Sequence, residues 1–141
     1  MNTEGEFSDG EQMKESIVVK ESALEGLGIF ANRDFEAGDV VVPWRASRQL
    51  TRDEAARLPA TNKKYLSRLK DGSYILLGIP ERYVNHSCEP NTKVENNADI
   101  AIRVIKKGEE ITADYRLEKA PGHFTCNCGS SNCIGEYSES L

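Results

Sequence analysis

Hydrophobic positions along the chain fall mostly in short β-branched and aromatic runs punctuated by glycine, a pattern that predicts strands. ESIVVKES, residues 15–22, reads as one short strand. ALEGLGIFANRDFEAGDVVV, residues 23–42, reads as turn, strand, turn, strand, with Ile29-Phe30 and Val40-Val41-Val42 as the two runs. In LTRDEAARLP, Thr51 followed three residues later by Glu54 forms a capping box, so a short helix is expected there with Pro59 at its end. A second short helix is expected in NKKYLSRL, starting after Asn62. SYILLGI, KVENNADIAIRVI and EEITADY then read as strands, with KKGEE a turn between the last two. The fold class that follows is mainly β, a β-rich α+β domain.

At 141 residues the chain is near the size of one domain and long enough to bury a core without disulfides. Its net charge of −5 is concentrated at the start, where Glu4, Glu6, Asp9, Glu11 and Glu15 face the single Lys14. Residues 1–15 hold too few apolar groups to offset the entropy of ordering and are expected to form a disordered acidic leader. The remainder is nearly neutral and has neither the basic stripe of a nucleic-acid binder nor the long apolar run of a membrane protein. No apolar segment of secretory type follows Met1, so a reducing cytoplasm or nucleus is expected, where cysteines serve as ligands or free thiols.

The candidate chemistry is concentrated late in the chain. RYVNHSCEPNT, residues 82–92, packs Asn85, His86, Ser87, Cys88 and Asn91 into a density of hydrogen-bonding groups that strand formation does not require. Cys126, Cys128 and Cys133 form C-x-C-x4-C, with Gly129 and Gly135 letting the backbone fold around a small centre. Three thiolates are one short of a closed tetrahedral zinc site, and Cys88 is the only other cysteine. This arithmetic makes residue 88 the fourth ligand and clips the C-terminal segment onto the Asn-His-Ser-Cys stretch. Two disulfides or four independent thiols are the alternatives. His86 and His123 stay outside the ligand set, as histidines beside a cysteine cluster more often act as hydrogen-bonding side chains. Gly26-Leu27-Gly28 lacks the third glycine and following helix of a dinucleotide fingerprint; such a turn also serves to bring bare main chain against a ligand.

Four blocks taken together, Gly26-Leu27-Gly28-Ile29-Phe30-Ala31, Arg82 to Asn91, Gly108 to Tyr115, and Phe124 to Gly135, resemble the SET-domain protein-lysine methyltransferases with a post-SET zinc motif. The blocks stand in that family's order. The resemblance implies a fold of small curved sheets in which the Asn-His-Ser-Cys segment passes beneath a loop near the C-terminus in a pseudoknot. It divides the chain into a SET domain at 16–118 with a variable insert at 46–80, a post-SET zinc segment at 119–137 and a tail at 138–141. It also implies that S-adenosylmethionine lies against the main chain of Gly26, Leu27 and Gly28, is contacted by Asn85 and His86, and is flanked by Phe124 and Tyr74. Tyr115 inherits the catalytic role, and Ala113 stands where a larger aromatic residue commonly limits the number of methyl groups added. Where relatives often carry a tyrosine followed by Gly-Glu, this chain has Pro43-Trp44-Arg45, which leaves one wall of the lysine channel unassigned.

The implied chemistry suits these residue types. Methyl transfer is an in-line displacement at a sulfonium, so the protein mainly orients and desolvates. A lysine with an ordinary pKa of about 10.4 must first lose a proton, which a dry site beside a positive sulfonium favours. The expected partner is a protein bearing the target lysine in a flexible basic segment, a histone tail or another basic protein, with no direct nucleic-acid or membrane binding. A catalytically silent, zinc-stabilised interaction module is the second reading. A zinc hydrolase would need an open coordination position, which four cysteines do not leave.

Overall fold

A computed structural model describes residues 16–141; the leader expected at 1–15 lies outside the described residues. The hydrophobic runs become β1 (Ile17–Glu21), β2 (Leu27–Ala31), β3 (Val40–Pro43), β4 (Arg48–Leu50), β5 (Leu66–Arg68), β6 (Tyr74–Leu76), β7 (Asn85–His86), β8 (Thr92–Val94), β9 (Ala98–Ala101), β10 (Glu110–Ala113), β11 (Gly122–Thr125) and β12 (Glu136–Glu139). Between β4 and β5 lie α1 (Arg52–Ala56) and α2 (Ala60–Lys63), and a 3₁₀ turn spans Glu81–Tyr83. The mainly β expectation holds, in four small sheets ordered β1-β2-β10-β7, β3-β9-β8, β4-β6-β5 and β11-β12. Among the described residues no helix is long and apolar enough to cross a membrane.

The first sheet positions the site. β10 is one of its two inner strands, antiparallel to β2 through Ile111 and Ile29, and parallel to β7 through Thr112–Asn85 and Ala113–His86. Parallel pairing requires a long return path, and here the β8–β9 hairpin fills it. Asn91 and Thr92 extend the short parallel seam with side chains: Asn91 Nδ2 donates to the Glu110 carbonyl at 2.8 Å, Thr112 N–H donates to Asn91 Oδ1 at 2.9 Å, and Thr92 Oγ1 donates to the Thr112 carbonyl at 2.8 Å. The main core lies against this sheet and is built from Ile29, Phe35, Val41, Val42, Ile105 and Ile111 with smaller neighbours. A second core, Leu50, Ala55, Leu66 and Tyr74, belongs to the β4-β6-β5 unit within the expected variable insert.

Local signals performed unevenly. Thr51 forms the expected capping box, its hydroxyl accepting from Glu54 N–H while Thr51 N–H donates back to the Glu54 carboxylate. The second helix is shorter and earlier than expected, and Leu66–Arg68 is a strand paired with Tyr74–Leu76. KVENNADIAIRVI is a hairpin instead of one strand: Asn96 and Asn97 sit at φ 52° and 56°, as a two-residue type I′ turn requires. Ser138 and Glu139, expected in a free tail, belong to β12, and Leu141 packs against the second core.

Ala113 also departs from expectation. It is 2% exposed in the middle of the main core and does not line the cavity described below, because its strand turns this residue away from the open side. A tyrosine here would overpack. Ala113→Tyr should therefore cost roughly 1–3 kcal/mol and lower the melting temperature by roughly 4–10 °C; an unchanged thermal melt would show that the position opens into free space after all.

Candidate active site

A cavity of about 650 Å³ opens between the first sheet and the C-terminal hairpin. Its floor is Asn85 and His86 of β7, one wall is Glu25, Gly26 and Leu27, and the facing wall is Phe124, Cys126 and Tyr137. Tyr65, Ser67, Tyr115 and Glu118 close the remaining side. Gly26 takes φ +39°, a conformation that side chains resist, and this turn presents main chain to the cavity.

Gly28 has a different part from the one expected. It is buried and does not line the cavity; a Cβ there would lie 2.3 Å from Glu110 Oε2. The missing side chain makes room for the Glu110 carboxylate, which accepts from Ser22 Oγ at 2.8 Å and from Asn85 Nδ2 at 2.9 Å. Asn85 Nδ2 also reaches the Leu27 carbonyl at 3.0 Å and the Glu25 carbonyl at 3.1 Å. Both amide protons of Asn85 are thus committed to the protein, and its carbonyl oxygen is left for the cavity. In the sequence Glu110 stands in the Gly-Glu-Glu-Ile-Thr block, where nothing local shows that its carboxylate reaches the glycine turn about 80 positions earlier.

His86 joins Tyr115 to the cysteines. Tyr115 N–H donates to its Nδ1 at 3.0 Å, so Nε2 carries the proton and faces Cys88 Sγ at 3.4 Å. Burial holds this imidazole below its ordinary pKa, against the pull of Asp114, and keeps it in the neutral form that this bonding needs. Cys88 also receives Ile134 N–H at 3.4 Å. Cys88, Cys126, Cys128 and Cys133 bring their sulfurs within 4.8 Å of one another, with Cys88 and Cys126 3.8 Å apart. Tetrahedral zinc–thiolate bonds of about 2.3 Å require sulfur–sulfur edges of about 3.8 Å. All four expected ligands are therefore together, and His123 is apart on the exposed hairpin, beside Glu136.

The Tyr115 hydroxyl donates to the main-chain carbonyl of Val84. Burial, with the charges of Glu118, Asp99, Glu110 and Glu25, holds this phenol well above its ordinary pKa, so it remains a hydroxyl. Of these groups Glu118 lines the cavity, and once ionised its carboxylate favours a cation there. Phe124 packs on His86 with ring centroids 5.1 Å apart and on Tyr137 at 4.9 Å and 25°. Tyr137 was not anticipated. Its hydroxyl donates to the Ala120 carbonyl at 2.7 Å and it lies four residues beyond the last cysteine, where no motif marked it.

Tyr74 is not brought to the cavity. It is fully buried on β6 in the second core, and its expected cofactor contact is withdrawn on that geometry. Trp44 fills the unassigned region by turning inward, its Nε1 donating to Asp99 Oδ2 at 2.8 Å. Asp99 is 1% exposed, and burial pushes its carboxyl up to about 8 despite the Trp44 bond. The folded chain thus holds a proton that the unfolded chain releases above an ordinary carboxylate pKa of about 3.9. The stability it lends is complete below that value and is lost as pH rises to about 8, a change on the order of a few kcal/mol. Urea midpoints should fall from pH 6 to 8.5, and Asp99→Asn should flatten that slope; equal slopes in the two proteins would contradict the assignment.

Comparison with known proteins adds three findings. The SET domain family model matches residues 26–116. The chain is 33% identical over 137 residues to histone-lysine N-methyltransferase 2B of Homo sapiens, covering 85% of this chain and 5% of that protein. It is 29% identical over 145 residues to histone-lysine N-methyltransferase trithorax of Drosophila virilis, covering 87% and 4%, and 28% identical over 148 residues to histone-lysine N-methyltransferase, H3 lysine-4 specific, of Aspergillus oryzae, covering 92% and 12%. The chain thus spans only a small part of the length of these curated relatives.

Proposed function

The chain belongs to the SET domain family, and from that premise we propose that it is a protein-lysine N-methyltransferase using S-adenosylmethionine, with a basic, flexible segment such as a histone tail as its substrate. The relatives' names point to that reaction and that class of target. The observation that carries the proposal is the convergence, on one cavity, of the Glu25–Leu27 main chain, Asn85, His86, Phe124 and Tyr115. A cavity of about 650 Å³ is within the usual range for ligand sites of this size, roughly 300–1,000 Å³.

S-adenosylmethionine supplies, when bound, an electrophilic methyl group on a positively charged sulfur. Glu25–Leu27, Asn85 and His86 would hold it, with Phe124 and Tyr137 as apolar cover. The protonated Tyr115 hydroxyl, fixed on Val84, orients the lysine amine. The buried surroundings exclude water, and the ionised carboxylate of Glu118 in the cavity wall favours a cationic guest. Cys88, Cys126, Cys128 and Cys133 would hold one Zn²⁺ in a structural role, tying the post-SET segment to β7.

The test is incubation of the full chain with labelled S-adenosylmethionine and a pool of purified core histones and ribosomal proteins, followed by mass mapping of modified residues. Methylated lysine is expected. A folded, zinc-loaded protein that methylates no lysine in the pool would overturn the proposal.

A further inference from the structure

Beyond Tyr115 the chain turns back on itself, with Leu117 N–H donating to the Asp114 carbonyl and Glu118 N–H to the Tyr115 carbonyl. This turn inverts the usual preference of two neighbours. Leu117 is 75% exposed, whereas Glu118 points inward and forms part of the cavity wall. One carboxylate oxygen, Oε1, accepts from the hydroxyl of Ser67, itself 2% exposed, at 2.9 Å. Oε2 accepts no hydrogen bond among the described residues. Of the charges acting on the Tyr115 phenol, that of Glu118 is the strongest. A glutamate held inward while a leucine is turned to solvent is an arrangement that folding alone does not favour.

Taking the cavity as a lysine methyltransferase site, we propose that Glu118 is a catalytic residue that receives the ammonium group of the incoming lysine and accepts its proton. In that step one N–H bond of the ammonium breaks, an O–H bond forms on the Glu118 carboxylate, and the electron pair stays on nitrogen, which becomes the neutral amine that methyl transfer requires. Ser67 fixes the carboxylate through its other oxygen.

Charge and burial around Glu118 agree with this role. Burial pushes its carboxyl up to about 7, with the Asp114 charge acting in the same direction and the Ser67 bond opposing. A proton acceptor works best when its pKa lies near the working pH. The other titratable groups that couple to it are Asp99 on β9, Tyr115 after β10 and Tyr137 on β12, and the cations Lys64 and Arg82 also line the cavity.

The test compares wild type with Glu118→Gln, which keeps the volume and an oxygen for Ser67 but removes the charge. Transfer from labelled S-adenosylmethionine to the histone and ribosomal protein pool is measured from pH 6 to 9, with cofactor binding followed by calorimetry. Wild-type transfer should rise through an inflection near 7, following ionisation of the carboxyl. Glu118→Gln should lose that inflection and fall by about 10²-fold at pH 7.5 while binding cofactor as tightly as wild type. A variant that keeps wild-type turnover and the inflection overturns the inference alone. So does a variant that loses cofactor binding along with activity, since this would make Glu118 a support of the fold. A wild type that binds no cofactor or methylates nothing overturns the functional reading, and the inference with it.

Discussion

Tyr115→Phe should cut methyl transfer by about 10²-fold or more, a loss of about 2.7 kcal/mol of transition-state stabilisation, while fold and cofactor binding survive. The substitution removes one oxygen. The main-chain N–H of residue 115 keeps its bond to His86 Nδ1, and the ring keeps its edge contacts with His86 at 5.3 Å and Phe124 at 5.6 Å. What is lost is the hydroxyl fixed on the Val84 carbonyl, whose removal as a neutral hydrogen bond costs about 1 kcal/mol of stability. Steady-state transfer, calorimetry with S-adenosylmethionine and a thermal melt separate the effects. Wild-type turnover in the variant would show that the tyrosine is wall rather than catalyst.

Cys128→Ser should release the metal and, with it, the C-terminal half of the site. Among the described residues β11 and β12 pair only with each other, and an isolated two-stranded hairpin is marginal in water. The cysteine cluster, Phe124 on His86, Leu141 against the second core and Arg68 on the Ser140 carbonyl at 2.8 Å are among the contacts that hold that hairpin to the body. Structural zinc contributes on the order of 10 kcal/mol at such sites. Loss of one thiolate should reduce zinc from about one per chain to a small fraction and lower the melting temperature by roughly 10 °C or more. Because Phe124 and Tyr137 ride on the hairpin, cofactor affinity should fall by about tenfold or more, and proteases should cut after residue 119. Metal analysis of reduced protein, limited proteolysis and calorimetry check each part. A variant retaining full zinc would remove Cys128 from the ligand set.

The features legible in the sequence were those written in short stretches. The capping box at Thr51, the β-branched runs of β2 and β3 and the cysteine spacing each depend on neighbours within a few positions. NKKYLSRL failed because Leu66–Arg68 pairs with Tyr74–Leu76, and tertiary pairing overrides the helix preference of lysine, leucine and arginine. The Asn96-Asn97 pair is of the residue type that such a turn favours, inside a stretch whose β-branched content reads as one strand. At the site, Asn85, His86, Tyr115, Phe124 and the cysteines meet as motif reasoning anticipates. Glu110, Glu118 and Tyr137 were missed because their roles depend on distant segments: Glu110 reaches Ser22, Glu118 reaches Ser67 and Tyr137 stacks on Phe124 across a hairpin. Tyr74 was misplaced for the complementary reason, since its strand turns the ring into the second core rather than toward the cavity.

The inner position of β10 sets the order in which this chain can fold. β1 and β2 are neighbours in sequence and can form a hairpin early, but β2 gains its other partner only from Glu110 and Ile111, and β7 has no strand to pair with until Thr112 and Ala113 arrive. During synthesis the first hundred residues therefore carry two unfinished strand edges, and loop-closure entropy must be met before the long-range pairs reward it. Refolding of the described domain should accordingly be slow for its size, in the range of milliseconds to seconds. The cavity, whose walls come from both ends of that interval, is the last part of the molecule to exist.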